Sequence, residues 1–395
     1  MTLYEMAPRC GGRARSVEVD GLTLDNGQHI LIGAYTETLR LMQLVGADVR
    51  QLLLRTALEL REPEHRGLRL EAGPPIVSLA MAVARHPTWS WRAKLALMAQ
   101  ASRWAMMRFA CDPALLVADL THRLPREIRR ELIDPLCVAA LNTSSHQASA
   151  SVFLRVLKDA LFGAPGSSDL LLPKAGLSEV LPDPALLWLR QHGAVVHAST
   201  RVHDLRPTPQ GWCVDAACFD HVVLATPAPE AARLVQAHAA AWAHTARALP
   251  FEPIMTIYAR SAGTRLPIPM LALECDAKRP AQFVFDRGQL GGPQGLLAFV
   301  ISGARDWVER GAVAATEASF AQATQALGAW LRAPLQAVTV LTEKRATFRC
   351  IPQLARPPLQ IAAGICAAGD YVAGPYPATL EGAVRSGVRA ARALH

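Results

Sequence analysis

The sequence is poor in aromatic and charged residues, and these shortages narrow the classes of protein to which it can belong. Only 6% of its 395 residues are aromatic and 19% are charged, whereas 51% are hydrophobic. Its arginines are scattered along the chain, although the formal net charge is +8. Scattered cations with few aromatics exclude a recognisable nucleic-acid module, so no nucleic-acid partner is predicted. The positive charge instead favours an anionic membrane surface.

Long apolar runs and paired cysteines are also missing. No uncharged apolar stretch of about 20 residues is present and no secretory signal is visible, so the sequence predicts a cytoplasmic protein without a spanning helix. The eight cysteines form no C-x-x-C pair, and the nearest two, Cys213 and Cys218, flank a predicted turn. All eight are predicted to be reduced and mostly to serve packing. No metal site is predicted.

The C-terminal segment is the most informative part of the sequence. An apolar run at 365–368 ends in Gly369-Asp370, which predicts a buried strand that stops at a tight turn. A helix with small residues on one face is predicted from Pro377 to the end of the chain. Asp370 could bind a polyol, and the amides at the helix start, at Thr379 and Leu380, could bind an electron-rich ring. Gly382 would let a flat ring lie close, so the segment favours a flavin over a strand and helix that merely pack.

The N-terminal segment suggests the other part of the same nucleotide site. Residues 1–5 predict the end of a strand that finishes in Glu5, an acid suited to ribose hydroxyls. Gly11 and Gly12 would let the backbone approach a pyrophosphate, whose charge Arg13 could neutralise. No G-x-G-x-x-G can precede Glu5 in this sequence. We therefore expect a first strand, its turn and its helix to be missing from the sequence.

These segments resemble a known superfamily. Arg9-x-Gly11-Gly12-Arg13 near the start and 368–370 near the end are similar to flavin-containing amine oxidases and phytoene desaturases. The closer resemblance is to the squalene-associated, FAD-dependent hydroxysqualene dehydroxylases of hopanoid synthesis. The segments that carry it, spread in order along the chain, are 24–35, 141–143, 148–150, 168–173 and 376–383. The resemblance implies FAD as cofactor and aligns Val202 with a backbone strand that contacts the adenine.

A turn at Asn26-Gly27 is bracketed by polar residues, among them Asp25 and His29. The resemblance implies that this loop approaches the flavin and the substrate. Asp25 and His29, together with Tyr376, are therefore candidate catalytic residues that handle a proton. The alternative is that Asp25 caps the turn and that His29 is a hydrogen-bonded structural residue.

A basic segment rich in Trp and Met occupies residues 76–110. Arg or Lys on one side of a helix with Trp, Met and Phe on the other is typical of a helix that lies on a membrane surface. The alternative is a helix that covers a large apolar cavity. Both interpretations fit a long isoprenoid hydrocarbon or alcohol as substrate. Peripheral attachment to the inner face of the cytoplasmic membrane is accordingly one predicted location.

The remaining pattern predicts a two-domain α/β fold. Residues 1–72, 173–250 and 349–395 are predicted to form a discontinuous, N-terminally truncated Rossmann-like FAD domain. Residues 73–172 and 251–348 are predicted to form a substrate domain that combines helices with an antiparallel sheet. Helices are also predicted over 36–72, and strands over 201–205 and 337–348.

The resemblance implies reduction of the allylic alcohol hydroxysqualene to squalene. A carotenoid-type desaturase, which transfers hydride in the opposite direction, and an amine oxidase-like enzyme are alternatives. A different alternative is a non-catalytic scaffold for squalene-synthase-like enzymes, with which association is in any case predicted. Flavin colour would separate enzyme from scaffold.

Overall fold

The strands form one large antiparallel sheet and several small sheets in a computed structural model that describes residues 1–63, 67–71 and 73–394. In chain order the strands are β1 (Thr2–Tyr4), β2 (Ser16–Val19), β3 (Leu22–Asp25), β4 (Leu31–Ile32), β5 (Leu53–Thr56), β6 (Glu59–Arg61), β7 (Gly67–Arg69), β8 (Leu170–Pro173), β9 (Val195–His197), β10 (Leu205–Thr208), β11 (Gly211–Val214), β12 (Ala217–Phe219), β13 (Val222–Leu224), β14 (Phe251–Arg260), β15 (Met270–Ala272), β16 (Phe283–Asp286), β17 (Leu296–Ile301), β18 (Gln336–Phe348), β19 (Gln360–Ala362) and β20 (Ile365–Ala367).

The helices fall mainly in the first half of the chain and at its end. In chain order they are α1 (Thr36–Leu44), α2 (Val49–Leu52), α3 (Pro75–Arg85), α4 (Trp91–Met106), α5 (Val117–Leu120), α6 (Arg126–Ile128), α7 (Asp134–Leu141), α8 (Ala150–Leu161), α9 (Leu177–Val180), α10 (Pro182–Gln191), α11 (Ala228–Val235), α12 (Ala240–Arg247), α13 (Arg305–Arg310), α14 (Ala312–Leu327) and α15 (Leu380–Ala393). Within the described part of the chain, no helix is both long and apolar enough to cross a bilayer.

The large sheet has the strand order β15-β16-β17-β14-β18, and its pairings are antiparallel. Every residue of β17 is buried, as expected for a strand between two neighbours that is covered on both faces. Helices α13 and α14 pack against this sheet and complete its core. The predicted mixture of an antiparallel sheet with helices is therefore confirmed, including the long strand at 336–348.

Parallel pairing occurs where the cofactor domain is predicted. β1 pairs with β9, and β13 pairs with β20, which carries β19 on its other edge. α15 follows β20 and packs against it and against α1. The α/β class is confirmed, whereas the domain boundaries and the missing first strand stay predictions. The boundary residue 72 and the terminal residue 395 lie outside the described residues.

Two secondary-structure predictions are wrong. The helix expected over 36–72 ends at Leu52, because residues 53–56 pair with β8 and residues 59–61 pair with β7. This tertiary pairing overrides the local run of leucines. The strand expected at 201–205 starts only at Leu205, since the amides of His203 and Asp204 bond to the side chain of Asp215. Helix α15 also begins later than predicted, at Leu380.

The prediction that all eight cysteines are reduced is wrong for one pair. Cys213 and Cys218 form a disulfide. They are direct cross-strand partners in the β11–β12 hairpin, where the register places their Cα atoms 3.9 Å apart. The predicted turn between them is what brings them into register, so pairing followed from a feature that the sequence did contain.

Candidate active site

A cavity of about 390 Å³ lies where the two ends of the chain meet the large sheet and helices α7 and α8. Its polar side chains come mainly from the loops at 11–14, 26–29 and 370–379. Its apolar lining comes mainly from strands and helices. The apolar residues include Leu58, Leu60, Leu136, Val156, Ile254, Met270, Phe283, Phe285, Val300 and Leu341. A largely apolar cavity with a few convergent polar groups is the usual form of a small-molecule site.

Arg13 and Asp370 join the two ends of the chain at this cavity. The guanidinium of Arg13 donates a 2.5 Å hydrogen bond to the Asp370 carboxylate, which is only 5% exposed. Arg13 also donates to the carbonyl of Ala346 at the end of the large sheet. The sequence predicts that Arg13 and Asp370 bind different parts of one nucleotide, whereas the structure brings them into direct contact. Both still line the cavity.

The loop before Arg13 requires glycine. Gly11 and Gly12 have φ values of +113° and +60°, in the region that side chains disfavour. A Cβ on Gly11 would approach the carbonyl oxygen of Ala14 to 2.7 Å, so the chain there has no room for one. Gly11 lines the cavity. The missing side chain of Gly11 makes room for the Ala14 carbonyl and for Pro182, and Gly12 is not among the residues that line the cavity.

The start of α15 forms another part of the wall. Thr379 and Leu380 line the cavity, and the Thr379 hydroxyl accepts a 3.1 Å hydrogen bond from the amide of Gly382 as the helix N-cap. A Cβ on Gly382 would meet the carbonyl oxygen of Pro377 at 3.1 Å. The absent side chain of Gly382 therefore allows the turn that precedes the helix, and the close ring contact expected for it stays a prediction. Gly369, before Asp370, is equally restricted, because a Cβ there would meet the ring of Tyr371 at 2.6 Å.

The structure does not bring Glu5 and Val202 to the cavity wall. The Glu5 carboxylate accepts a 2.7 Å hydrogen bond from the amide of Ala7, and the carbonyl of Val202 accepts one of 2.8 Å from Arg233. These residues follow the parallel strands β1 and β9, and the amide of Thr200 bonds to the Glu5 carbonyl. Glu5 and Val202 thus belong to one neighbourhood beyond the ends of these strands.

His29 lines the cavity as a neutral imidazole. Its Nδ1 lies 3.0 Å from the carbonyl oxygen of Gly27, and a carbonyl can only accept, so Nδ1 carries the proton. Burial lowers the pKa of His29, although the Gly27 carbonyl and Asp25 oppose that shift. Near neutral pH, Nε2 is therefore a hydrogen-bond acceptor. This geometry makes His29 a base or acceptor rather than an acid.

Asp25 is buried behind the cavity and contacts several polar groups. Asp25 is only 1% exposed. Its carboxylate accepts hydrogen bonds from the Ser16 hydroxyl at 3.0 Å and from the Leu177 amide at 2.8 Å. The guanidinium of Arg287 lies 3.7 Å from its other oxygen. These contacts give Asp25 a structural role, although through Ser16, Leu177 and Arg287 rather than by capping the turn at Asn26-Gly27, and its role in proton handling stays a prediction.

Gln28 was not among the candidate residues, yet it lines the cavity and its side-chain nitrogen is unpaired among the described residues. It is 9% exposed, and its Oε1 accepts a 3.1 Å hydrogen bond from Arg287. Its Nε2 is buried and has no hydrogen-bond partner among the described residues, although Gln28 lines the cavity. A buried amide nitrogen without a partner is costly, so it indicates a place for a ligand acceptor.

Tyr376 lines the cavity between two arginines. Its hydroxyl oxygen accepts a 2.8 Å hydrogen bond from Arg155, and the guanidinium carbons of Arg155 and Arg385 lie 4.8 and 5.3 Å from its ring centre. Burial raises the pKa of Tyr376, with a further contribution from Asp159, while the two arginines oppose the rise. The phenol is therefore protonated near neutral pH and retains a proton to donate.

Two further residues hold the C-terminal segment, and the sequence analysis missed both. Arg356 donates to backbone carbonyls along residues 370–376, including those of Gly374 at 2.9 Å and Tyr376 at 2.8 Å. Glu381 is 1% exposed and accepts from the amide and hydroxyl of Thr38, so that it caps α1 from α15. An isolated arginine and a glutamate in a helix carry no sequence signal for such long-range contacts.

An α/β fold with a largely apolar cavity at the edge of its antiparallel sheet is the architecture found in flavin-dependent oxidoreductases. The chain belongs to the family of flavin containing amine oxidoreductases, which matches residues 1–395. The family implies a flavin as cofactor.

Curated relatives carry a more specific name. The chain is 25% identical over 421 residues to a hydroxysqualene dehydroxylase of Sinorhizobium fredii, with 98% of this chain and 91% of the relative covered. It is 27% identical over 417 residues to a hydroxysqualene dehydroxylase of Rhodopseudomonas palustris, with the same coverage.

Solved structures share the fold at low identity. An oxidoreductase from Methanosarcina mazei superposes with a TM-score of 0.71 at 13% identity, over 99% of this chain and 94% of that one. Cyclohexylamine oxidase from Brevibacterium oxydans gives a TM-score of 0.65 at 16% identity, over 99% and 92%. At such identities the likeness concerns the fold.

The cavity residues fit a flavin. Gly11 and the cation of Arg13 line the cavity next to each other, and a glycine backbone beside an arginine is a combination suited to phosphate. The N-terminus of α15 and the unpaired amide of Gln28 supply donors for an electron-rich ring edge or a substrate oxygen.

Proposed function

We propose that the protein is an FAD-dependent enzyme that reduces hydroxysqualene to squalene. In this reaction the allylic C–O bond breaks, a proton joins the departing hydroxyl to give water, and a hydride forms the new C–H bond. The name of the curated relatives supports this reaction. The alcohol is the electron acceptor, and FAD returns to its oxidised form.

The observation on which the proposal rests is that the cavity wall is largely apolar but has a few hydrogen-bonding side chains. Six side chains from the five strands of the large sheet give an apolar lining, and α7 and α8 add to it: Ile254, Met270, Phe283, Phe285, Val300, Leu341, Leu136 and Val156. Gln28, His29 and Tyr376 add hydrogen-bonding groups from two loops. A long hydrocarbon with one hydroxyl needs this combination, because its chain must leave water while one oxygen is bound.

Arg13 and the glycines at 11–12 would hold the FAD pyrophosphate, and Asp370 with the amides at Thr379 and Leu380 would hold the ribityl chain and the ring edge. Glu5 and Val202 would serve the adenosine end. Bound in its reduced form, the flavin supplies the hydride. The apolar wall excludes water from the carbon that accepts it.

Tyr376 is the proposed proton donor to the departing hydroxyl. It is protonated, it lines the cavity, and Arg155 and Arg385 would stabilise the phenolate that remains. Gln28 would donate a hydrogen bond to the substrate oxygen and hold it in place. His29, with its Nε2 free to accept, would orient the same hydroxyl by accepting its proton in a hydrogen bond.

The test is an anaerobic turnover of the purified, FAD-loaded protein with hydroxysqualene and dithionite, followed by mass spectrometry. We expect squalene, and none from the flavin-free chain. Separate aerobic incubations without dithionite, one with phytoene and one with putrescine, examine the desaturase and amine oxidase alternatives, because both of those oxidations need an oxidised flavin and an electron acceptor. A flavin-loaded protein that converts phytoene or putrescine but leaves hydroxysqualene unchanged would overturn the proposal. A colourless protein that cannot be loaded with FAD would favour the scaffold.

A further inference from the structure

Helix α4 has apolar residues on two opposite sides. The inner side is buried against the core through Ala93, Leu97, Ala101 and Trp104. On the outer side, Trp91, Leu95 and Met106 lie within about 60° of one another around the axis. They are 66%, 60% and 79% exposed. A globular helix needs one apolar side to pack, so the second side along a helix of about 24 Å lacks an explanation in the core.

Neighbouring residues extend this exposed surface. Ile76 and Val77 on α3 and Met107 at the end of α4 are each about half exposed. Six of the 13 large apolar side chains that are exposed in the described part of the chain thus fall within residues 76–107. We call these six residues, Ile76, Val77, Trp91, Leu95, Met106 and Met107, the outer face.

The segment that carries the outer face has charges of one sign only. Between Glu71 and Asp112 the sequence contains no acidic residue but five cations: Arg85, Arg92, Lys94, Arg103 and Arg108. Arg92 stacks on Trp91, and both Arg92 and Arg103 lie beside the outer stripe of α4. Among the acids nearby, Glu71 pairs with Arg85, while Glu127 and Glu131 bond to Ser90 and Trp89 at the start of the helix. The surface therefore complements a negatively charged, apolar partner.

The outer face is close to the walls of the cavity. Helix α3 packs against α8 and against β7. Val156 and Leu157 of α8 line the cavity, as does Leu60, which pairs with Leu68 of β7. One layer of secondary structure thus separates the exposed apolar residues from the apolar wall of the site.

We propose that the outer face binds the surface of an anionic lipid bilayer, with α4 lying in the plane of the interface. Trp, Leu and Met would enter the acyl boundary, while Arg92 and Arg103 would contact lipid phosphates. This proposal stands on α3 and α4 alone and does not depend on the substrate proposed above.

The experiment is cosedimentation of the FAD-loaded full chain with vesicles of phosphatidylcholine, with and without 30% phosphatidylglycerol. We expect binding to the anionic vesicles that weakens with salt. The variant W91S/L95S/M106S should bind at least about tenfold more weakly. The variant R92Q/R103Q should lose roughly fivefold per arginine. The matched control V313S/L187S removes equally exposed apolar residues from α14 and α10 and should bind like the wild type. Circular dichroism and flavin content verify folding.

Several results would overturn the proposal. One is a wild type that does not bind anionic vesicles. Another is an outer-face variant that binds as well as the wild type. The third is a V313S/L187S control that loses as much binding as W91S/L95S/M106S. Binding to phosphatidylcholine alone that equals binding to the anionic vesicles would refute the role of the arginines. If the outer face binds a protein partner instead of lipid, the protein should not cosediment with any of the vesicles.

Discussion

The guanidinium of Arg287 lies 3.1 Å from the side-chain oxygen of Gln28, and this contact determines which way the Gln28 amide points. Arginine can only donate, so the atom that faces it must be the amide oxygen. The NH₂ group must then point elsewhere, and in the part of the chain that the structure describes it has no hydrogen-bond partner. Arg287 is buried and lies near Asp25, which balances its charge. Asp25 and Arg287 thus act as positioning residues for a donor on the cavity wall.

The substitution Gln28→Glu tests this donor. Glutamate keeps an oxygen for Arg287 but replaces the NH₂ donor with a second acceptor. We expect kcat/KM for hydroxysqualene to fall about 10- to 100-fold, since a buried donor to the substrate is lost. The free energy of unfolding should fall as well, because Asp25 already balances the charge of Arg287 and the new carboxylate is buried without a counter-charge of its own. An unaltered kcat/KM, with FAD bound, would show that Gln28 does not contact the substrate.

The substitution Asp25→Asn separates a structural role from a catalytic one. The carboxylate accepts from Ser16 and Leu177 and neutralises Arg287, so its loss should lower the free energy of unfolding by about 3 kcal/mol. The pH profile of kcat should keep its shape. A profile that loses its acidic or basic limb would instead restore Asp25 as a proton-transfer residue.

The substitution Tyr376→Phe removes the proposed proton donor and leaves the ring between its arginines. We expect kcat to fall about 100-fold or more with KM nearly unchanged, as for the loss of a general acid. Tyr258→Phe is the matched control, because that buried hydroxyl donates to the backbone carbonyl of Asp25. If kcat is reduced equally in both variants, Tyr376 is not the donor.

His29 should make stability depend on pH in a defined direction. Its pKa in the folded protein lies below its ordinary value of about 6.5, so the unfolded chain binds its proton more tightly. The stabilisation is therefore complete above pH 6.5 and is lost as pH falls through that value toward the folded pKa. Urea midpoints at pH 7 and pH 5 should show a smaller acid loss for His29→Gln than for the wild type. The exposed His122, changed to Gln, serves as the control. Equal acid losses in wild type and His29→Gln would contradict this account.

Arg356 should govern the order of the C-terminal loop. Its guanidinium donates to carbonyls between Asp370 and Tyr376 and stacks on Phe348. Lysine cannot form so many bonds at once, so Arg356→Lys should lower the free energy of unfolding by about 2–3 kcal/mol. FAD affinity, measured by fluorescence titration, should fall as well. Arg389→Lys, which removes a single bond to Ala373, is the milder comparison.

Local pattern predicted several elements correctly. The apolar run before Gly369 became β20, and the alternating residues near 337–348 became β18, because strand propensity and tertiary pairing agree there. At Leu53–Thr56 they disagree, and pairing with β8 prevailed over a leucine run that favours a helix. The Cys213–Cys218 disulfide was missed although the turn between the two residues was recognised.

The sequence by itself determined the two glycine-containing segments, the α/β class and the apolar, basic character of α4, since each depends on residues that are close along the chain. Only the tertiary structure decided that Arg13 contacts Asp370, that Arg287 orients Gln28, and that Asp25 lies behind the cavity rather than in it. These contacts join residues hundreds of positions apart. Burial and hydrogen-bond partners at such distances depend on how the sheets pack, which no local spacing of residues records.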